Sequence, residues 1–292
     1  MAVATRDFTS ISPSAMSLIG LKAHTTIPFA KEAATLLSDD LSETRTNHEK
    51  IDKALFFKLL VHFENRYRTV DKALSELQVN NIIEISSGFS FRGLNLCYER
   101  PVYCIDTDLP HVIALKKGIV EKLVESHEES LKGSLKLFPL NVLDKTDFEA
   151  IADSFPEGPL AIINEGLLVY LNTEEKNQLA TTIRKILRKR GGYWITGDIY
   201  TKKDTLEETL IPTDKAKAFR QFHHIDENKF ESFEAAEEFF TRNGFTITNR
   251  IPLAPGELSC LNLLGERKAD VVEKLTQAHP SKETWCLQVR TN

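Results

Sequence analysis

Two carboxylates, Asp106 and Asp108, fall about 20 positions past Gly88, where nucleotide-binding βαβ units place an acid on the ribose hydroxyl pair. Gly88 belongs to Ser86-Ser87-Gly88-Phe89-Ser90, whose small residues let a backbone turn tightly and approach a ligand. The pyrophosphate spacing G-x-G-x-x-G is missing, and so is a Walker lysine pattern, so the turn suits a nucleoside that carries no pyrophosphate. Asp108 closes its strand and can accept both hydroxyls. Asp106, two residues earlier, shares that face only if the strand stays regular so far. A third acid, Glu165 in Asn164-Glu165-Gly166, ends another apolar run, at the strand edge where open α/β sheets bind ligands. The bland alternatives are a solvated strand-end acid and a helix-capping one.

These side chains need a frame. Ile82-Ile83-Glu84-Ile85 reads as a buried strand, Phe91 to Cys97 as helical, and Val102 to Ile105 as a second strand running into Asp106-Thr107-Asp108. His111 to Glu128 reads as a helix with Ile, Val and Leu on one face and Lys and Glu on the other. Leu135 to Val142 is the third expected strand. Leu160 to Asn164 is the fourth, an unbroken apolar run as in a strand covered on both faces. Thr173 to Arg190 is a helix begun by Asn172 or Thr173 with Glu174 and Glu175, and stopped by Gly191-Gly192. Tyr193 to Thr196 is the fifth strand, ending in Gly197-Asp198. Strands alternating with helices predict an α/β fold with a parallel, doubly wound sheet. Ahead of it, Ala15–Ala23, Phe29–Leu37 and Ile51–Leu77 predict a helical cap over residues 1–78. Residues 79–292 then form the ligand-binding domain, with a polar insertion at about 201–231. Ser232–Asn243 is a further helix and Phe245–Arg250 a sixth strand. A helix from Ser259 to Gln277 and a terminal strand over Thr284–Val289 complete the expectation.

Three stretches carry a resemblance: Glu84 to Gly93, then Asp106-Thr107-Asp108-Leu109-Pro110, then Asn164 to Leu171. They resemble the leucine carboxyl methyltransferase family, in the branch similar to the tetracenomycin polyketide-synthesis O-methyltransferase. The resemblance implies a class I methyltransferase, Rossmann-like seven-stranded sheet whose last strand enters antiparallel beside the sixth. S-adenosyl-L-methionine is the implied cofactor, and an oxygen of a small molecule, carboxylate or hydroxyl, the implied methyl acceptor. Ser86 and Gly88 would then form the cofactor loop, Asp108 with Asp106 the ribose site, and Glu165 would face the methionine ammonium. Arg66, with Arg68 as its alternative, and Arg92 would meet the cofactor carboxylate. The adenine position falls on Asn141 and Val142, where such enzymes usually carry an acid, so Asp144 competes for that role. Tyr170 would border the acceptor as the candidate catalytic residue. The substrate-side lysine of the family has no match in register, Lys22 being close but displaced.

A net charge of -5 with mixed signs argues against a nucleic-acid or anionic-membrane surface. Met1 to Phe8 show no basic-then-apolar leader, and no run approaches a membrane span, so a cytoplasmic protein is expected. Cys97, Cys104, Cys260 and Cys286 form no C-x-x-C and read as buried free thiols. His223-His224 is no metal pair, because adjacent residues do not share a helix face. If the acceptor is a hydroxyl, His24, His223 or His224 is a candidate base. Two other classes remain: a nucleoside-binding protein without turnover, suggested by Ser86-Ser87 and Asn141, and a Rossmann oxidoreductase, against which the missing G-x-G-x-x-G argues.

Overall fold

A computed structural model describes residues 12–40, 53–202, 214–252, 255–269, 271, 273 and 283–290. Three helices come first: α1 (Ser12–Lys22), α2 (Ala30–Asp40) and α3 (Lys53–Ser75). Then β1 (Asn81–Ile85), α4 (Arg92–Glu99), β2 (Tyr103–Asp108), α5 (Pro110–Glu125) and β3 (Ser134–Pro139) follow. The chain continues through α6 (Lys145–Asp153), β4 (Leu160–Asn164), α7 (Thr173–Arg190) and β5 (Gly192–Thr196). After two helical segments, Asp214–Phe222 and Ile225–Asn228, helix Phe233–Arg242 leads into β6 (Phe245–Pro252), and β7 (Glu283–Val289) ends the described chain.

The seven strands lie in the order β3-β2-β1-β4-β5-β7-β6. β1 to β5 pair in parallel, and β7 inserts antiparallel between β5 and β6. Every residue of β1 and β4 is buried, which is why these strands read as apolar runs with no alternation. Successive side chains still take opposite faces. Ile83, Ile85, Ile162 and Trp194 pack with α7 residues Leu179, Ile183 and Ile186. Ile82, Ala161, Ile163 and Ile195 pack with α3 residues Val70, Ala73 and Leu74, so α3 shares a core with the sheet.

Local chemistry sets the boundaries. Asn172 and Glu175 form a reciprocal capping box that starts α7, and Gly191 ends it at φ 71. β3 is shorter than expected. It stops at Pro139, and Leu140 and Val142 leave the strand to fill the core from a loop. α6 was not foreseen: Asp144 accepts from the Thr146 and Asp147 amides and caps a helix too short to show a periodic stripe. The expected helix from Ser259 is instead a 3₁₀ segment, Ser259–Arg267, interrupted where Gly265 takes φ 56. The rest of that expectation, toward Gln277, falls largely outside the described residues, as does 203–213 of the insertion.

Gly192 opens β5 at φ +107, and a Cβ there would lie 2.1 Å from the Leu160 carbonyl oxygen. Backbone cannot move aside as a side-chain tip can. Gly192→Ala should therefore destabilise the protein by about 3 kcal/mol, strain and overpacking together. Equilibrium urea unfolding reads this as a lowered midpoint, and an unchanged midpoint would contradict the close packing of β4 on β5.

Candidate active site

At the C-terminal end of β1 the chain turns through Ser86, whose φ is +51, and Gly88, at φ +49. The turn is held against β2. The Ser87 amide donates to the Thr107 carbonyl at 2.8 Å, and the Gly88 amide donates to Asp108 Oδ2 at 2.7 Å. Asp108 Oδ1 accepts from the Leu109 amide, also at 2.7 Å. Burial pushes the Asp108 carboxyl above its ordinary value, and these two amides with Lys116 and His111 offset that only in part. Ser86, Gly88 and Asp108 all remain half-buried at the C-terminal ends of β1 and β2, the side of an open α/β sheet on which ligands bind.

Asp106 has a different place. It is 1% exposed, and its Oδ2 forms an ion pair with Lys116 Nζ at 2.8 Å, beneath the loop. The expectation that it joins Asp108 as a ribose ligand is corrected on that ground: its carboxylate already balances a buried ammonium.

The second half of the site surrounds Glu165, just past β4, whose side chain is only 4% exposed. Lys22 Nζ lies 2.9 Å and Arg66 Nε 3.3 Å from its Oε1, while Arg92 Nη2 lies 2.8 Å from Oε2. Burial alone would raise the Glu165 carboxyl, but Lys22, Arg66 and Arg92 overcome it and hold the group well below the usual carboxylate range. Arg92 also binds Asp71 at 2.6 Å and Glu84, and its guanidinium lies over the Tyr67 ring at 4.3 Å. One cation divided among three carboxylates compensates each only in part. Burial therefore pushes Glu84 up to about 7 against the pull of Arg92, with Asp106 adding to the rise. Arg66 donates its Nη1 to Tyr200 Oη at 2.7 Å, and Tyr200 in turn lies 3.5 Å from His62 Nε2.

The structure brings three of the sequence-predicted residues, Arg66, Arg92 and Glu165, together by pairing both arginines with Glu165, and adds Lys22, which sequence register sets aside. Glu84, Asp71, Tyr67 and Tyr200 were not foreseen either; Glu84 lies inside an apolar strand run, a signal that its charge is buried for a reason. Arg68 is displaced from the cluster, with Nη2 on Thr26 Oγ1 at 2.8 Å. Asn141 and Asp144 are both engaged by local backbone. Asn141 Oδ1 accepts from the Leu143 amide at 3.1 Å, and Asp144 caps α6. Val142 is buried in the core. Tyr170 is half-buried on the 3₁₀ turn after β4, edge-on to Phe219 and His223 with centroids 6.3 and 5.9 Å away. His223 is buried and His224 exposed, and all four cysteines are buried free thiols. Among the described residues no group of three or more His, Cys, Asp or Glu side chains is placed to hold a metal ion, and no helix is long and apolar enough to cross a membrane.

Three solved structures share this architecture along nearly the whole chain. A DUF574 family protein from Streptomyces avermitilis aligns with TM-score 0.52 at 14% identity, covering 94% of this chain and 97% of its own. The mycolic acid cyclopropane synthase CmaA1, complexed with S-adenosylhomocysteine (SAH), aligns with TM-score 0.52 at 13% identity over 97% of this chain and 99% of its own. A candidate methyltransferase from Thermobifida fusca aligns with TM-score 0.51 at 13% identity, covering 94% of each chain. The fold is the class I methyltransferase, Rossmann-like fold. No protein-family model matches the sequence, and no curated protein matches it either. The antiparallel β7 between β5 and β6 sets this sheet apart from the 3-2-1-4-5-6 order of the dinucleotide-binding oxidoreductases.

The Glu84 shift makes a pH prediction. Its folded value, about 7, lies above the ordinary carboxyl value of 4.5, so the native state holds the proton more tightly than the unfolded chain. The stability it contributes is complete below pH 4.5 and is lost as pH rises through about 7. Glu84→Gln should flatten this component of the stability profile, worth about 3 kcal/mol at most. Urea midpoints measured at intervals from pH 4.5 to 7.5 test it, and parallel profiles for the two proteins would contradict it.

Proposed function

We propose that this chain is an S-adenosylmethionine-dependent methyltransferase that transfers the methyl group to an oxygen of a small molecule. The observation that carries the reading is the pairing of two sites at the C-terminal ends of the neighbouring parallel strands β2, β1 and β4. Asp108 stands at the end of β2, braced by Gly88, and a cation-rich cluster surrounds Glu165 at the end of β4. The fold and the likeness of Glu84–Gly93, Asp106–Pro110 and Asn164–Leu171 to leucine carboxyl methyltransferases support it. So does the S-adenosylhomocysteine bound by one structural relative.

The residues fit the cofactor by their chemistry. The Asp108 carboxylate is half-exposed and can accept both ribose hydroxyls. Lys22, Arg66, Arg92 and Glu165 hold both signs of charge that an amino-acid group would meet, and such a ligand would have to share the ion pairs these side chains already make with one another. When bound, the cofactor supplies an electrophilic methyl group on a sulfonium. The protein then has to align the acceptor oxygen behind that methyl and keep water out. A carboxylate acceptor is already ionised at neutral pH and needs no base. A hydroxyl acceptor needs one within hydrogen-bond reach. His62, joined to the cluster through Tyr200, is placed for that better than His24, which lies edge-on to Phe56 in the N-terminal helices. Tyr170, with Phe219 and His223 beside it, would form the apolar wall of the acceptor pocket.

Isothermal titration with S-adenosylmethionine should give one saturable site. Asp108→Ala should weaken it by about a hundredfold, since a ribose hydroxyl bonded to a charged acceptor is worth roughly 1.5–3 kcal/mol. Methyl transfer from labelled cofactor to a panel of carboxylic acids and phenols would then identify the acceptor class. No heat of binding by a folded wild-type protein would sink the reading. Binding without turnover of any acceptor would favour a nucleoside-binding protein instead.

A further inference from the structure

Lys116 is a lysine of α5 that is completely buried, at 0% exposure. Its Nζ lies 2.8 Å from Asp106 Oδ2, donates to Ser87 Oγ at 2.9 Å, and sits over the Phe91 ring at 5.6 Å. An ammonium without water is costly, and a solvated face was open to a residue on the amphipathic helix α5. Its placement therefore calls for a reason. The partner it reaches offers one. Ser87 lies between the two positive-φ residues of the turn, Ser86 and Gly88, and Ser86 pays a strain that a glycine would not. Ser87 is gripped twice, its amide by the Thr107 carbonyl on β2 and its hydroxyl by Lys116 from α5. Those grips fix the next amide, Gly88 N–H, on Asp108 Oδ2.

We propose that Lys116 is a positioning residue: with Asp106 as its counter-ion, it pins Ser87 and so presets the loop and the Asp108 carboxylate for the nucleoside. This rests on the S-adenosylmethionine reading for its ligand, but the tether itself does not. It gives Asp106 a role the spacing alone did not suggest, the anchor of a buried cation beneath the ligand loop. The ion pair is hemmed in. Gly93 of α4 makes room for it: a Cβ there would lie 2.7 Å from Asp106 Oδ1, so the carboxylate packs directly against the bare helix backbone. A loop built with one glycine in place of three is thus held in shape by a charge from below.

The test separates tether from general stability. Wild type, Ser87→Ala, Lys116→Met and the double variant Asp106→Asn/Lys116→Met are compared in thermal midpoint and in S-adenosylhomocysteine affinity by calorimetry. Lys116→Met alone leaves Asp106 buried and unpaired, so its midpoint should fall; the double variant removes both charges and should recover most of that loss. Affinity should not follow. It should stay weakened by about tenfold or more in the double variant and by about three- to tenfold in Ser87→Ala, which keeps the ion pair, because a loop misplaced by about 1 Å loses its contacts. Wild-type affinity in the double variant, or affinity that recovers along with the midpoint, would overturn the proposal. Hydrogen exchange of the Ser87 and Gly88 amides, measured without ligand, reads the tether directly. Faster exchange in Ser87→Ala and in the double variant is expected, and unchanged exchange overturns it. If wild type binds no S-adenosylhomocysteine, the cofactor reading falls while the exchange result still decides the role of Lys116.

Discussion

The guanidinium of Arg92 is the interaction on which the site depends. It is 2% exposed, and three carboxylates from separate parts of the chain converge on it: Asp71 from α3, Glu84 from β1 and Glu165 after β4. Arginine can serve them together because its nitrogens diverge in a plane and its charge is never lost. Take it away and Glu84, 3% exposed, loses its paired cation while Glu165, 4% exposed, keeps Lys22 and Arg66; stranding a buried acid in this way typically costs about 3–5 kcal/mol. The same group holds the helix before β1 and the strand ends of β1 and β4 in one arrangement. Lys22 and Arg66 complete the set from α1 and α3, so the N-terminal helices are fastened to the crevice by charge as well as by packing.

A second carboxylate keeps Glu165 in place from below. Asp198, just past β5 and 1% exposed, accepts from the amides of Gly166, Leu167 and Leu168 at 2.5, 2.7 and 3.1 Å and from Asn164 Nδ2 at 2.7 Å. The turn after β4 is thereby wrapped around a fixed anion. Asp108 and the Ser86–Gly88 turn do the equivalent at β2 and β1. The two strand-end acids are held differently: Asp108 accepts from local backbone amides, whereas Glu165 is held by three cationic side chains.

Much of the frame was legible where one physical cause dominates. The run Leu160–Asn164 marks β4 to the residue, because burial on both faces leaves four apolar residues in a row. Its one polar side chain, Asn164, closes the strand hydrogen-bonded to Thr196, Asp198 and Trp194. The Asn172 cap and the Gly191 stop mark α7 for similarly local reasons. Errors arose where tertiary structure decides. Leu140 and Val142 are apolar because the core needs them, and the strand they seemed to extend had already ended at Pro139. Lys116 looked like one more polar-face lysine of α5, since nothing in its helix reveals a carboxylate across the sheet edge. Lys22 was set aside on register, yet α1 can deliver an ammonium to Glu165 at a spacing no linear pattern encodes. Asp106 and Asp108 share one face of β2 as alternation requires; only the burial of the first and the exposure of the second separate their roles.

The central claim is that Asp108 and the Glu165 cluster are two ends of a single S-adenosylmethionine site. A crystal structure of the protein grown with S-adenosylhomocysteine tests it most directly. The account predicts both ribose hydroxyl oxygens within about 3 Å of the Asp108 carboxylate. It also predicts the amino-acid end of the ligand against Glu165 and the cations Lys22, Arg66 and Arg92. A ligand bound elsewhere, or one whose ribose leaves Asp108 bonded only to the Gly88 and Leu109 amides, would contradict it.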